Sequence, residues 1–299
     1  MSEGEQGVWG DQEAAFKHFD KDQDGFLNKN EFSALCCALF QNEKGETYPI
    51  ETTIFDAIFT IFDNKKDQVI DSDEFHYCWQ QWITTVLRPV TALVVVDVQN
   101  DFISGSLGLN INLEDQHGEK ITSAEAQVYD TVIFDMLEDG EPMVQKLWPR
   151  HSVQNTWGSK LHQDLKVPED AVFVYKGTDP DVDSYSAFWD NIKKSQSSLN
   201  EELQKRSVTD LFLCGIGYDV CVAATTRHAI EEGYRAVLVD NATRGVCDSD
   251  IQATKDHTIA NNGLIVHSSQ VKGLATGRDR HPVLAYKLAL DLSKKMNKK

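Results

Sequence analysis

Three side chains able to cooperate in attack on a carbonyl each stand at the end of an apolar run in this 299-residue chain: Asp97 closes ALVVV, Lys176 follows AVFVY, and Cys221 follows DLFLCGIG. Short β-branched runs bounded by turn residues read as buried parallel strands. In such sheets ligands bind beyond the carboxyl ends of the strands, so the spacing predicts that the three groups converge there. Cys221 also falls near the first turn of the helical pattern VCVAATTRHAIEEG. The positive end of a helix dipole and a neighbouring ammonium would both lower a thiol pKa, and a carboxylate could carry its proton. Together they make an activated nucleophile for a carbonyl substrate. Taken one at a time, the three residues read as a core cysteine, a surface lysine and a capping aspartate; their joint placement at three strand ends favours the chemical reading. Cys214, inside the same apolar run, reads as core.

The elements that must position these groups follow from the pattern beyond residue 91. Candidate strands are ALVVV, AVFVYKG, DLFLCGI, RAVLVDNAT and GLIVHSS; helical segments are expected in AFWDNIKKSQSSLNEELQKR, VCVAATTRHAIEEGY and DIQATKDHTIANN. Alternating strand and helix predicts an α/β fold, a parallel sheet covered on both faces. The tail LSKKMNKK reads as a solvated end.

Residues 1–90 have a different character. They hold 17 Asp and Glu against 7 Lys and Arg, a local charge of −10 within a chain total of −18. In FDKDQDGFLNKNEF, oxygen-bearing side chains fall at loop positions 1, 3, 5, 9 and 12 (Asp20, Asp22, Asp24, Asn28 and Glu31), with the Phe26 carbonyl at 7 and Gly25 at 6. This is the EF-hand calcium loop, which surrounds a hard cation with oxygens and turns sharply at the glycine. A second loop offers Asp63, Asp67, Asp71 and Glu74 at positions 1, 5, 9 and 12, but Lys65 at position 3 and Gln68 at position 6. An ammonium repels the ion, and a side chain where positive φ is wanted costs roughly 1 kcal/mol. That loop therefore reads as a structural partner with weak or no calcium binding, Leu27 and Ile70 pairing between the loops. The flanking segments carry apolar residues at helical spacing, which makes residues 1–88 an all-α EF-hand pair and places Cys36, Cys37, Cys78, Trp79 and Trp82 in its core or groove.

The acidity argues against nucleic acid or an anionic membrane as partner, since both need a basic footprint. No apolar run approaches a membrane span, no signal-peptide pattern follows Met1, and six irregularly spaced cysteines do not make a disulfide framework, so the expected location is cytoplasmic with reduced thiols.

The motifs VVVDVQNDF, WPRHSV, YKGTDPDVDSYSAF and GIGYDVCV occur in the order seen in one family. The chain resembles the nicotinamidase branch of the isochorismatase-like cysteine hydrolases, and its EF-hand pair resembles the layout of the animal nicotinamidases. The resemblance implies a three-layer, Rossmann-like hydrolase domain over residues 91–293, and hydrolysis of nicotinamide to nicotinate and ammonia in NAD salvage. It implies that Cys221 forms a thioester, Asp97 moves the proton, Lys176 holds the thiolate, and the N–H groups of Gly217 and Cys221 hold the oxyanion. It further implies a cis peptide at Ile216–Gly217 and a ring slot walled by Phe102, Trp148 and Tyr185.

The resemblance also implies a zinc-like divalent ion held by an Asp-x-His after a second strand and by the histidine of WPRH, here His151. Between Phe102 and Trp148 no crossover helix precedes a strand, and the Asp115–His117 pair follows Phe102 by only 13 residues. A parallel crossover needs about a dozen residues beyond its strands. Either Asp115 and His117 are displaced substitutes, or a helix and strand between about 105 and 128 are missing and the metal site keeps one ligand. A missing strand would expose sheet edge and favour homo-oligomers. Three readings stay open: a calcium-binding nicotinamidase, an impaired isoform that binds without turnover, and an amidase of this fold acting on another small amide.

Overall fold

The structure, a computed structural model, describes residues 9–107, 127–134 and 143–296. Asp115 and His117 lie outside the described residues. Among the described residues no helix is long and apolar enough to cross a membrane.

The acidic module is built from α1 (Gln12–Phe19), β1 (Leu27–Asn28), α2 (Lys29–Leu39), α3 (Thr52–Phe62), β2 (Val69–Ile70) and α4 (Ser72–Cys78), which runs on through a π turn at Trp79–Ile83 into α5 (Thr84–Leu87). The last oxygen positions of each loop also start the following helix. The Asn28 side chain caps α2 while Glu31 accepts from the Asn28 N–H, and Asp71 and Glu74 do the same for α4. Leu27 pairs with Ile70 across the loops, as their spacing predicts. Cys36, Cys78, Trp79 and Trp82 are buried; Cys37 is exposed, a correction to its expected core placement, because it lies on the outer face of α2.

The second module holds β3 (Thr91–Val96), α6 (Asn100–Ile103), an antiparallel hairpin β4 (Thr131–Phe134) and β5 (Met143–Lys146), α7 (Leu199–Lys205), β6 (Asp210–Ile216), α8 (Cys221–Glu231), β7 (Arg235–Arg244), α9 (Asp248–Ala260), β8 (Leu264–Val266), α10 (Ser268–Ala275) and α11 (Pro282–Met296). Four strands form a parallel sheet in the order β3-β6-β7-β8. Apolar clusters cover both faces, one with Leu211, Leu213 and Val222, the other with Phe212, Val237 and Leu274. At the strand starts, Asp210 and Arg235 form a buried ion pair across β6 and β7.

Two expectations about elements fail. AVFVY forms no strand: Val172, Phe173 and Tyr175 are 47%, 56% and 75% exposed. No described strand bridges it to the sheet: β3 is the edge among the described residues, its Leu93 and Val95 are exposed, and AVFVY does not pair with it. The tail is also not simply solvated. LSKKM belongs to α11, whose Ala285, Ala289 and Leu292 join the core of the EF-hand module, and the Trp82 indole donates to the Ala285 carbonyl at 2.8 Å. On its other side Leu284 packs in the sheet cluster, so one helix is shared by both modules. AFWDNIKKSQSSLNEELQKR is helical only over α7.

Candidate active site

β3 ends at Val96, and Asp97 turns out of the strand with φ 52, a conformation that costs a non-glycine residue on the order of 1 kcal/mol and is held where structure demands it. Lys176 comes from an irregular segment rather than a strand end, yet its ammonium reaches the same place. It lies 3.0 Å from the Asp97 carboxylate, donates to the Ser184 carbonyl at 2.9 Å, and stands 3.7 Å from the Cys221 sulfur. Cys221 is the first residue of α8, 7% exposed, reached from β6 through Gly217. The carboxylate, ammonium and thiol predicted from sequence thus meet at one point.

Their electrostatics differ from the sequence expectation in one respect. Burial pushes the Cys221 thiol up, Lys176 pulls it down, and Asp97 pushes it up again through its charge and hydrogen bond; the net displacement is upward. The expected lowering by the helix and the ammonium is overturned because a thiolate here would lose its water and share space with a carboxylate. For Lys176, burial favours the neutral amine, but the negative charge that Cys221 would carry as a thiolate and the charge and hydrogen bond of Asp97 outweigh it, so its pKa is held above the ordinary lysine value; beside a protonated thiol it is the Asp97 carboxylate that keeps the ammonium. The resting state is therefore an ion pair, Asp97 with Lys176, beside a protonated thiol.

The turn before Cys221 needs glycine. Gly215 has φ 130 and Gly217 φ 78, and a Cβ on Gly217 would stand 3.2 Å from the Cys221 nitrogen and 3.7 Å from its sulfur. Among the described residues there is no cis peptide, so the expected cis bond at Ile216–Gly217 is corrected: the positive φ angles of the flanking glycines make the bend with trans bonds. No side chain caps α8, which leaves its first amides unclaimed by side chains.

Around these groups lies a cleft with an empty volume of about 650 Å³, walled by Phe102, Trp148 and Tyr185, with Leu107 and Val246 adding apolar surface. Lys176, Gly217, Cys221 and His151 also line it. A cluster the sequence reading missed supports this wall. Gln145 on β5 donates to the Tyr185 hydroxyl at 2.6 Å and to Asp183 at 3.1 Å, and Asn191 donates to the Gln145 carbonyl at 3.0 Å. Asp183 stood inside the quoted YKGTDPDVDSYSAF motif; Gln145 carried no motif at all.

Among the described residues a divalent metal does not find a full donor set in the cleft. His151 lines the cleft, but its Nδ1 faces the Pro149 carbonyl at 2.6 Å, leaving one nitrogen. Among the described residues no group of three His, Cys, Asp or Glu ligand atoms includes His151; the one such group is Asp20, Asp22 and Asp24. A catalytic site of this kind needs about three protein ligands. The first EF-hand loop is different. The carboxylate oxygens of Asp20, Asp22 and Asp24 lie within 4.8 Å of one another, and Asp20 Oδ1 is buried without a hydrogen-bond partner. In the second loop the Lys65 ammonium pairs with Asp71, and Gln68 carries the strained φ of 70.

Comparison with known proteins places this geometry. A family model described as the isochorismatase domain matches residues 91–270, and one described as an EF-hand domain pair matches residues 12–80. The nicotinamidase of Escherichia coli (strain K12) is 32% identical over 180 residues, covering 53% of this chain and 84% of that protein. The nicotinamidase of Saccharomyces cerevisiae is 30% identical over 211 residues, covering 58% of this chain and 98% of that one. Among solved structures, an Acinetobacter baumannii nicotinamidase/pyrazinamidase superposes with a TM-score of 0.52 at 26% identity, over 60% of this chain and 97% of that one. Yeast nicotinamidase bound to the inhibitor nicotinaldehyde also gives 0.52 at 26% identity, over 60% and 100%. A catalytic-type thiol, carboxylate and ammonium in a parallel-sheet cleft, matched over most of the second module, make this chain a member of the isochorismatase family that carries an EF-hand pair ahead of its hydrolase-type domain.

Proposed function

We propose that the chain is an amide hydrolase of the nicotinamidase type, converting nicotinamide and water to nicotinate and ammonia, a step of NAD salvage. The observation that carries this is the meeting of Asp97, Lys176 and Cys221 at the floor of a cleft whose walls are aromatic. As the Cys221 sulfur bonds to the amide carbon, Asp97 takes the thiol proton, which removes the need for a free thiolate at rest. Lys176 lies against both atoms and offsets the charge as it passes from carboxylate to sulfur. The N–H groups of Gly217 and Cys221 receive the oxyanion. Collapse breaks the C–N bond, the Asp97 proton leaves with ammonia, and Asp97 then deprotonates the water that cleaves the thioester and frees the thiol.

The first EF-hand loop, with Asp20, Asp22, Asp24, Phe26, Asn28 and Glu31, is the proposed calcium site. The second, with Asp63, Asp67, Asp71 and Glu74, is its structural partner, since Lys65 already neutralises Asp71. A second reading, binding of a small amide without turnover, is favoured because no three-donor metal group includes His151 among the described residues. Ammonia release from nicotinamide separates them. Wild-type protein is expected to release it, with C221A inactive and D97N slower by roughly 10²–10⁴-fold; release no faster than from C221A rejects the hydrolase.

A further inference from the structure

The cleft holds a carboxylate that the proposed reaction does not use. Lys176 is matched by Asp97 at 3.0 Å, and burial pushes the Cys221 thiol beside them up toward its neutral form. Asp183 lines the same cleft, and among the described residues it forms no ion pair with a lysine or arginine. Backbone contacts place it. Its Oδ1 accepts the Ser184 N–H at 2.7 Å, its carbonyl accepts the Asn191 N–H at 2.9 Å, and the next carbonyl along, that of Ser184, accepts the Lys176 ammonium at 2.9 Å. The turn that seats the ammonium therefore seats a second carboxylate as well, whose Oδ2 lies 3.1 Å from the neutral Gln145 amide nitrogen. One negative charge in the cleft is left unmatched.

The reaction proposed above converts a neutral amide into a carboxylic acid, which is ionised near neutral pH because carboxyl groups ordinarily titrate at about 4. The new charge appears where the amide stood, at Cys221, in the cleft that Asp183 lines. For the Cys221 thiol burial is the largest influence, followed by Lys176 and Asp97; Asp183 comes next and pushes it up, so its field reaches the attacking atom. Asp97 does not supply the same field, because Lys176 compensates its charge. We infer that Asp183 is a specificity-determining residue: its unmatched negative charge repels the ionised acid and acts little on the neutral amide, so the cleft holds substrate in preference to product and releases the product once formed. This rests on the amide-hydrolase reading above.

The test is calorimetric binding of nicotinamide and of nicotinate to C221A, C221A/D183N and C221A/D183E, which requires no turnover. The readout is the ratio of the two dissociation constants, which cancels any loss that a disturbed wall imposes on both ligands. Asp183 is exposed and water weakens its field, so removing its charge should narrow the preference for nicotinamide by roughly three- to eightfold, while D183E should keep most of it. Raising salt from about 0.02 to about 0.3 M should narrow the ratio in C221A and leave it unmoved in C221A/D183N, because screening acts on the repulsion alone. An unchanged ratio in D183N, equal narrowing in D183N and D183E, or the same salt response with and without Asp183 overturns the inference, as does tighter binding of nicotinate than of nicotinamide to C221A. Charge-dependent binding with no ammonia release by wild type would reject the hydrolase reading and leave the role of Asp183 standing; turnover with a ratio indifferent to D183N would do the reverse.

Discussion

Replacing Gly217 with alanine tests the turn that delivers Cys221. The new methyl would lie 3.2 Å from the Cys221 nitrogen, 3.4 Å from its Cβ and 3.7 Å from its sulfur, over the amide proposed to receive the oxyanion. The neighbour at 3.2 Å is backbone at the start of α8 and cannot swing aside as a long side chain would. Two costs separate. The φ of 78 is unfavourable for alanine by roughly 1–2 kcal/mol, which lowers Tm by roughly 2–8 °C for a domain of this size. Loss of an oxyanion donor costs roughly 2.7–4 kcal/mol in the transition state, a fall of about 10²–10³ in kcat. The assay is ammonia release under single-turnover conditions, with unfolding followed on the same sample and nicotinamide binding measured in parallel. G217A is expected to stay folded at 25 °C, to bind nicotinamide within a few-fold of wild type, and to lose at least about 10² in the chemical step. A folded variant with the chemical step within about threefold of wild type would refute the oxyanion role, and a loss that tracks only the unfolded fraction would show that the glycine serves the bend alone.

Three other outcomes are expected. Because burial raises the Cys221 thiol while Cys37 is exposed, iodoacetamide should label Cys37 before Cys221 between pH 7 and 9, as read by peptide mass spectrometry; preferential labelling of Cys221 would restore the lowered-thiol picture. Calcium titration should saturate at about one equivalent per chain and be abolished by D22N but not by D67N, and K65N should leave the first site unaltered; two equivalents in wild type would overturn the reading of the second loop. His281, packed on Tyr48 where α11 meets the EF-hand module, is half-buried, and that desolvation lowers its pKa from 6.5. Its folded state is therefore the neutral one, so the stability it allows is present above its unfolded pKa and is lost as pH falls through the lowered folded value. Acid unfolding below about pH 6.5 should be shallower in H281F, by fluorescence-detected melting, and an unchanged acid limb would remove His281 from that role.

Much of the first module was legible because an EF-hand loop writes its ligands and its following helix cap in the same twelve residues. Asn28, Glu31, Asp71 and Glu74 serve both purposes, and local hydrogen bonds place them. The reactive groups were legible as ends of apolar runs, although Lys176 arrives from a segment that forms no strand: a β-branched run pairs only where a neighbouring strand exists. The shared helix α11 went unread because PVLAYKLALDL is apolar on more than one face, and only the fold decides that Ala285, Ala289 and Leu292 meet the EF-hand core while Leu284 meets the sheet cluster. Gln145 was invisible for a related reason, since an amide on a short hairpin has no local signature until Tyr185, Asp183 and Asn191 surround it.

By itself the amino-acid sequence determined the two modules, the calcium-loop pattern with its lysine-bearing partner, the candidate nucleophile and its two charged companions, and the absence of a basic footprint, because each of these depends on residue type at short range or on a motif. Tertiary structure alone decided that burial pushes the Cys221 thiol up, that one helix belongs to both modules, and that Gln145 braces Tyr185 in the cleft wall. Those properties arise from desolvation and from groups brought together across 40 or more residues, as with Gln145 and Tyr185. The free energy of a charge or a hydrogen bond is set by what surrounds it, and that exists only in the fold.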